Sequence, residues 1–136
     1  MHELSLAQSL VEQLLVLAAE QRATRVVRIR VRIEPLAGVV TDSFSFGFEA
    51  VKTISAVTRD AILELDCPPA SYRCLACGRL SEHPLPPEIP CPGCGAKNRQ
   101  LPTGGDQLLL LQVELEEQET DNGKTEPQPR EVNSHV

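Results

Sequence analysis

The sequence predicts an α+β fold, in which a three-stranded sheet is flanked by two helices and a four-cysteine, zinc-ribbon-like module is inserted. Three observations predict it. Apolar residues recur at helical spacing near the start, segments of alternating apolar and polar residues lie on both sides of the cysteines, and the cysteines form two CxxC pairs at 74/77 and 91/94. Because a predicted strand follows the cysteines, we expect their module to interrupt the sheet domain.

The first helix is predicted from Ser5 to about Arg22. Ser5 and Gln8 have the spacing of a capping box, so the helix should begin just after Glu3. Its buried stripe is predicted to consist of Leu6, Leu10, Leu14, Leu17 and Ala18.

The first strand is predicted over residues 25–34, where apolar and polar residues alternate. The predicted buried residues are Val27, Ile29, Val31 and Ile33. The predicted solvent-facing residues are Arg28, Arg30, Arg32 and Glu34. Pro35 should end the strand, since proline cannot donate to a ladder. The arginines suggest either an anionic-ligand patch or cross-strand ion pairs, and the acids at 64, 66, 114 and 116 favour ion pairs.

The segment from Thr41 to Ile54 fits two patterns. Its phenylalanines at 44, 46 and 48 alternate as in a strand, whereas those at 44 and 48 also share a helical stripe with Val51. Thr41 or Asp42 as an N-cap favours a helix, although Gly47 weakens that prediction.

Two further strands are predicted, at 61–67 and 107–117. The predicted buried residues of the last strand are Leu109, Leu111, Val113 and Leu115. The expected domains are therefore an α/β domain formed by 1–69 and 103–117, and a zinc module at 70–102 whose prolines predict loop-like structure. Residues 118–136 are polar and contain Pro127 and Pro129, which predicts a disordered tail.

Cys74, Cys77, Cys91 and Cys94 have the spacing of a zinc site, with a glycine after each pair. Four thiolates complete a tetrahedron and leave no position for substrate, so we expect Zn(II) to be structural here. Two disulfides or free buried thiols are the alternative. Cys67, at the end of a strand, is expected to be a small buried residue and not a ligand.

Composition excludes several functions. A net charge of −6 and an aromatic content of 3% argue against binding nucleic acid. No signal peptide or membrane-length apolar run is recognisable, and paired thiolates suit a reducing cytoplasm, so a cytoplasmic protein without membrane contact is expected. No catalytic triad or carboxylate pair can be identified, so an enzyme is not expected.

His2 is the histidine whose position suggests chemistry. It offers the terminal amine, its own amide nitrogen and its imidazole to one ion, and such a nitrogen set favours Ni(II) or Cu(II). Glu3 adds a carboxylate or a further amide. The alternative is an exposed histidine that binds nothing, as expected for His83 in the zinc loop and His135 in the tail.

The order of these features resembles the HypA/HybF family of hydrogenase nickel-incorporation proteins. The resemblance rests on the opening MHELSLAQ, the Val-Arg-Ile-Arg-Val strand, Leu-Ala-Gly-Val at 36–39, Phe-Gly-Phe-Glu at 46–49 and the four cysteines, and it covers about residues 1–117. One departure is Ile-Glu-Pro-Leu at 33–36, where the family usually has Ile-Gly-Glu-Leu.

The resemblance implies a nickel metallochaperone that helps load Ni(II) into the large subunit of nickel-iron hydrogenase together with the GTPase HypB. His2 would be the nickel ligand, with the backbone nitrogens of Met1 and Glu3 as companions, and the four paired cysteines would bind zinc. It also implies that 41–54 is the second helix. A zinc-ribbon adaptor without a nickel site, delivery to urease, and a monomer or a homodimer all stay open.

Overall fold

The computed structural model describes residues 3–81, 90–97, 99–117 and 128–136. These residues form two compact units. The first contains 3–33, 39–66, 108–117 and 128–136, and the second contains 34–38, 67–81, 90–97 and 99–107. His2 and His83 lie outside the described residues.

Helix α1 of the first unit spans Glu3–Glu20. Its buried residues recur at the expected spacing and are Leu6, Ala7, Leu10, Val11, Leu14 and Ala18. The helix begins two residues before the predicted capping box, so Ser5 lies inside the first turn instead of capping it. Glu3 places a negative charge in that turn, where the partial positive charge of a helix N-terminus favours it.

Helix α2 spans Thr41–Val51 and continues into a 3-10 turn at Lys52–Ile54, so the helical interpretation of this segment is confirmed. Its N-cap is Val40 without a side-chain cap, and the predicted cap at Thr41 or Asp42 is wrong. Phe44 and Phe48 are fully buried, as a helical stripe requires.

Gly47 lies where α2 packs against α1. A Cβ built at Gly47 would lie 3.5 Å from the Cβ of Ala7 and 3.5 Å from the Cα of Leu4. The residue that weakened the helix prediction thus sits at a close approach of two helices.

The sheet of the first unit contains β1 (Ala23–Ile33), β2 (Ile62–Asp66), β6 (Leu108–Glu117) and β7 (Gln128–His135), in the order β2-β1-β6-β7. The pair β1/β2 is parallel, and the other two pairs are antiparallel. The chain between the parallel strands carries α2, as a parallel crossover commonly does. The three predicted strands are present, and a fourth joins them.

The fourth strand corrects the prediction of a disordered tail over 118–136. Gln128–His135 pairs with β6 in antiparallel register, from Leu115↔Gln128 to Leu109↔His135. The prediction failed because an edge strand can be held by backbone bonds without an apolar pattern, and Pro129 is compatible with an edge. Residues 118–127 lie outside the described part of the chain.

Bulges shift two of the predicted faces. The register of β1 against β6 moves from Val26↔Leu115 to Arg28↔Glu114, so Val27 is an extra residue and Val26 is buried in its place. A second shift makes Leu111 the extra residue of β6. The buried leucines at the start of β6 are consequently Leu108 and Leu110, where the alternation had predicted Leu109 and Leu111.

Ion pairs cross the solvent face of the sheet, as the ion-pair interpretation predicts. Arg28 pairs with Glu64 at 3.3 Å and Arg32 with Asp66 at 2.9 Å. Each pair is partly exposed and therefore contributes at most about 1 kcal/mol. Glu116 pairs at 2.6 Å with an arginine outside the predicted row, residue 25.

The second unit contains a small antiparallel sheet, in the order β4-β3-β5, where loop-like structure had been predicted. Its strands are β3 (Ser71–Cys74), β4 (Leu80–Ser81) and β5 (Gln100–Thr103). Ser71 Oγ and Thr103 Oγ1 lie 2.9 Å apart across β3 and β5. Backbone pairing therefore orders these described segments of the module.

Glu34, the acid at the departure from the family pattern, joins two segments within the second unit. Its N–H donates to the Gln107 oxygen at 3.0 Å, and its Oε1 accepts from the Gln107 N–H at 3.1 Å. The Leu36 N–H donates to the Gly105 oxygen at 2.9 Å. A Cβ at Gly105 would collide with the Glu34 carboxylate, so the acid has a structural place here.

In the part of the chain that the structure describes, no helix has both the length and the apolar character needed to span a membrane.

Gly47→Ala should raise the free energy of unfolding by about 0.5–1 kcal/mol, because alanine is the better helix former and its methyl group would meet its neighbours at ordinary contact distance. Gly47→Val should lower it, since the additional methyl groups enter the α1/α2 contact. Urea unfolding followed by circular dichroism measures both. A destabilised alanine variant would show that the helices cannot accept even one methyl group.

Candidate metal centre

The two CxxC pairs form turns of the same geometry. After the first pair, the Gly78 N–H donates to the Cys74 oxygen at 2.8 Å, and after the second, the Gly95 N–H donates to the Cys91 oxygen at 2.8 Å. Both glycines have φ of 77°, in the left-handed region where a side chain would be strained. The glycine after each pair therefore allows the turn that directs two sulfurs to one point.

The four sulfur atoms converge. All lie within 4.8 Å of one another, and the distances Cys74 Sγ to Cys94 Sγ and Cys77 Sγ to Cys91 Sγ are both 3.7 Å. A tetrahedral thiolate site with bonds of about 2.3 Å has sulfurs about 3.8 Å apart. All four are free cysteines, so the alternative of two disulfides is not the arrangement observed. The donor set fits a tetrahedral metal ion.

Backbone donors prepare one of the thiols for ionisation. The N–H groups of Cys94 and Gly93 lower the pKa of Cys91 to about 6. At Cys77 the N–H of Arg79 also lowers the pKa, but desolvation and the other three thiols outweigh it and raise the pKa to about 11. Metal binding must therefore displace protons from the cluster, and acidification should oppose it.

Arg79 is a residue that sequence reasoning missed. Besides its backbone contact with Cys77, its side chain lies over the second turn: a Cβ at Gly93 would be 2.9 Å from the Arg79 Cδ. A cation here partly offsets the negative charge of four thiolates. Its place directly after the glycine of the first pair was the available signal.

The cluster also supplies the interior of its unit. Among the described residues of the second unit, Cys74 and Cys91 alone are buried, whereas Leu75, Leu80 and Leu101 are each more than half exposed. A unit of this size without an apolar core needs another source of stability, which a metal can provide.

The other predicted positions lie apart from this cluster. Cys67 is exposed, so its prediction as a buried residue is wrong, and it does not belong to the four-cysteine group. His135 lies in β7. Met1 and His2 lie outside the described residues, whereas the neighbouring Glu3 accepts a hydrogen bond from the Val40 N–H at 3.1 Å. The start of α1 is thus tied to the start of α2.

Comparison with known proteins agrees with this architecture. A family model described as "Hydrogenase/urease nickel incorporation, metallochaperone, hypA" matches residues 1–115. The chain belongs to the HypA family. Its similarity to the hydrogenase maturation factor HypA of Streptomyces avermitilis is 36% identity over 134 residues, covering 96% of this chain and 95% of the relative.

Two further proteins are similar to this chain over almost their whole length. The HypA of a Synechococcus strain is 35% identical over 114 residues, which cover 83% of this chain and 99% of that protein. The solution structure of the Ni metallochaperone HypA from Helicobacter pylori is 26% identical with a TM-score of 0.59, covering 87% of this chain and all of that one. The α+β fold is accordingly similar to that of a solved Ni metallochaperone of this family.

Cys91→Ser should lower the bound metal per chain to well below that of the unaltered protein, because it removes the thiolate with the lowered pKa. The matched control is Cys67→Ser, which changes an exposed cysteine outside the cluster. Elemental analysis after dialysis against a mild chelator measures the difference. Equal metal content in the two variants would contradict a four-thiolate site.

Proposed function

We propose that this protein is a nickel metallochaperone that binds Ni(II) at its N-terminus and helps insert it into the large subunit of nickel-iron hydrogenase during maturation. The observation that carries the proposal is the family match, which begins at residue 1 and so includes the Met-His-Glu opening. The similar Helicobacter pylori protein is itself described as a Ni metallochaperone. A maturation factor of this kind is not an enzyme.

His2 would supply the imidazole nitrogen, with backbone nitrogens of Met1 and Glu3 completing a nitrogen-rich set. Glu3 offers the metal either its carboxylate or its backbone nitrogen, and the hydrogen bond from the Val40 N–H to the carboxylate supports the nitrogen. Because that carboxylate already serves to join α1 to α2, we assign its backbone nitrogen, and not its side chain, to the metal.

The cysteine quartet would hold Zn(II) as a structural ion. A d10 ion with four thiolates takes the tetrahedral geometry to which the 3.7 Å sulfur distances correspond. With all positions filled by Cys74, Cys77, Cys91 and Cys94, this site has no vacancy through which nickel could pass to a partner. Its role is to fold the second unit.

Transfer would then proceed by ligand exchange at the N-terminal site. A terminal amine and one imidazole leave an ion open to incoming ligands, whereas a closed cage would release it slowly. The proposed partners are a HypB-type GTPase and the hydrogenase large subunit in the cytoplasm, with this protein acting as a monomer or homodimer. Neither nucleic acid nor a membrane takes part.

Urease is the second candidate recipient, because the description of the matching family includes both hydrogenase and urease nickel incorporation. Deleting the gene in its host and measuring both nickel enzymes separates the two. Loss of hydrogenase activity with normal urease activity would support the proposal. Loss of urease activity with normal hydrogenase activity would make urease the recipient of the nickel.

His2→Ala should abolish the strongest nickel-binding step in a calorimetric titration of protein with a native, untagged terminus. The change removes the imidazole while leaving the cysteine cluster intact, so zinc content should not change. His135→Ala is the matched control, since that histidine lies in β7 outside the proposed site. Unchanged nickel affinity and stoichiometry in His2→Ala would leave a zinc-ribbon adaptor as the better description.

Nickel occupancy should fall as the pH decreases from about 8 to about 6, because the terminal amine and the imidazole bind protons over that range. The sign follows from competition, since protons occupy the same nitrogens that bind the ion. Titrations at several pH values measure the change. A pH-independent affinity would exclude both nitrogens as ligands.

A further inference from the structure

One face of the small sheet β4-β3-β5 carries exposed leucines beside an arginine. Arg73 of β3 pairs with Leu80 of β4 and with Leu101 of β5, and residues that pair across strands share a face. Leu80 is 56% exposed and Leu101 is 51% exposed. Because successive side chains of a strand alternate, this row lies on the face opposite to the buried Cys74 of the metal centre.

The next pair along β3 and β5 continues the pattern. The Leu75 N–H donates to the Arg99 oxygen at 2.6 Å, directly after the pairing of Cys74 with Gln100. By alternation, Leu75 and Arg99 lie on the same face as Arg73, and both are exposed. The surface on which arginines alternate with leucines is called the Leu/Arg face, and it consists of Arg73, Leu75, Leu80, Arg99 and Leu101.

The module around this face is cationic, although the chain as a whole has a net charge of −6. Between positions 67 and 103, the residues that the structure describes include four cations and no carboxylate. The four are Arg73, Arg79, Lys97 and Arg99. None of them forms an ion pair with a described residue. Arg79 lies over the second cysteine turn, which leaves the two arginines of the Leu/Arg face for an external anion.

The mixture of leucines and arginines favours a protein segment over nucleic acid as the ligand. Single-stranded nucleic acid binds by stacking its bases on aromatic side chains, and the Leu/Arg face has none. The aromatic residue of β3, Tyr72, is half-buried and alternates to the other face. Leucines gain from covering by aliphatic groups, and guanidinium groups pair well with carboxylates. The chemistry therefore suits an acidic segment that also carries aliphatic residues.

The spacing of the leucines favours a helix in that segment. Neighbouring strands lie about 4.8 Å apart, so Leu80 and Leu101, on the two sides of β3, are separated by about 10 Å. Seven residues of an α-helix span about 10.5 Å and return to the same face, with the third and fourth residues between them on that face. An extended segment repeats each face about every 6.7 Å, which does not match the separation.

We propose that the Leu/Arg face is a docking surface for an acidic amphipathic helix of a partner protein. Two aliphatic residues seven positions apart pack on Leu80 and Leu101, and an acidic residue between them pairs with Arg73. The face contains no residue of the proposed N-terminal nickel site. Docking here is therefore a further function, and its test does not depend on whether the terminus binds nickel.

The probes are two helical peptides of about 20 residues, a length at which an alanine-rich sequence is helical in water. Both carry two leucines seven positions apart on a background of alanine and glutamine. One has glutamates between the leucines, and the other has lysines at the same positions. Each is titrated into the full-length chain, purified without chelator, and binding is followed by the NMR shifts of the backbone amides.

The glutamate peptide should bind at least about 10-fold more tightly than the lysine peptide, and its affinity should fall as salt rises. The amide shifts should lie in β3, β4 and β5. Equal binding of the two peptides, no binding of either, or shifts confined to the first unit would each overturn the proposal. Tighter binding of a single-stranded oligonucleotide than of the glutamate peptide would also overturn it.

A matched pair of charge reversals separates the face from the net charge of the protein. Arg73→Glu should weaken binding of the glutamate peptide at least about 10-fold. Arg59→Glu changes the net charge equally at an exposed arginine of the first unit and should leave the affinity within about 2-fold. Equal weakening by the two variants would overturn the proposal. Because Arg73 precedes a cysteine of the cluster, metal content is measured in both variants.

A second pair of variants tests the leucines at a distance from the cysteines. Leu101→Ser should weaken the glutamate peptide at least about 5-fold, because it removes an aliphatic contact. Ile54→Ser is the control, since Ile54 is 76% exposed in the first unit, and it should have no effect. Equal affinities in the two variants would overturn the proposal. So would a dimer of the unaltered chain that Leu101→Ser dissociates, since a second copy would then be the occupant.

Discussion

In the described part of the second unit, two buried thiols take the place of a hydrophobic core, and the structure of the unit depends on the four-cysteine cluster to which these thiols belong. Cys74 and Cys91 are the buried groups of its described part, and their sulfurs lie among four that share one point. The backbone N–H groups of Cys94 and Gly93 lower the pKa of Cys91, whereas at Cys77 desolvation and the other three thiols outweigh the N–H of Arg79 and raise the pKa, so the thiols of the cluster do not lose their protons together. A bound cation would replace the remaining protons with four bonds, so the folding of the unit and the filling of the site would be coupled.

The first unit is built on the opposite principle, with an aliphatic core and few aromatic residues. Val26, Ile29 and Val31 of β1 are fully buried, and β1 pairs on both sides, with β2 and β6. The bulge at Val27 changes which side chains of β1 face the core, because one extra residue exchanges the two faces of the strand for the residues that precede it. Helix α1 packs closely on α2 at Gly47. The hydrogen bond from the Val40 N–H to the Glu3 carboxylate joins the starts of the same two helices.

Local sequence patterns predicted which helices and strands are present better than they predicted where these elements begin and end and which of their residues are buried. The helical stripe of α1, the alternation of β1 and the cysteine spacing each depend on nearby residues, so the sequence contains their signal directly. Bulges at Val27 and Leu111 arise from pairing between β1 and β6, which lie far apart in the sequence, so no local window detects them. Strand β7 was missed for the same reason, since an edge strand owes its order to the partner's backbone. For the candidate site, the sequence predicted all four cysteines, whereas Arg79 was missed although it directly follows the glycine of the first pair.

The two proposed metal sites would make opposite chemical demands, and this division would explain why one chain carries both. A structural ion must not exchange, which four thiolates ensure by filling every position. A cargo ion must exchange, which requires few ligands and free access. Nitrogen donors at a chain end satisfy the second demand, and soft sulfur donors satisfy the first, so each ion is sorted by ligand type as well as by geometry. Because nickel also binds thiolates, a quartet already filled by zinc would protect the proposed cargo from capture within the same protein.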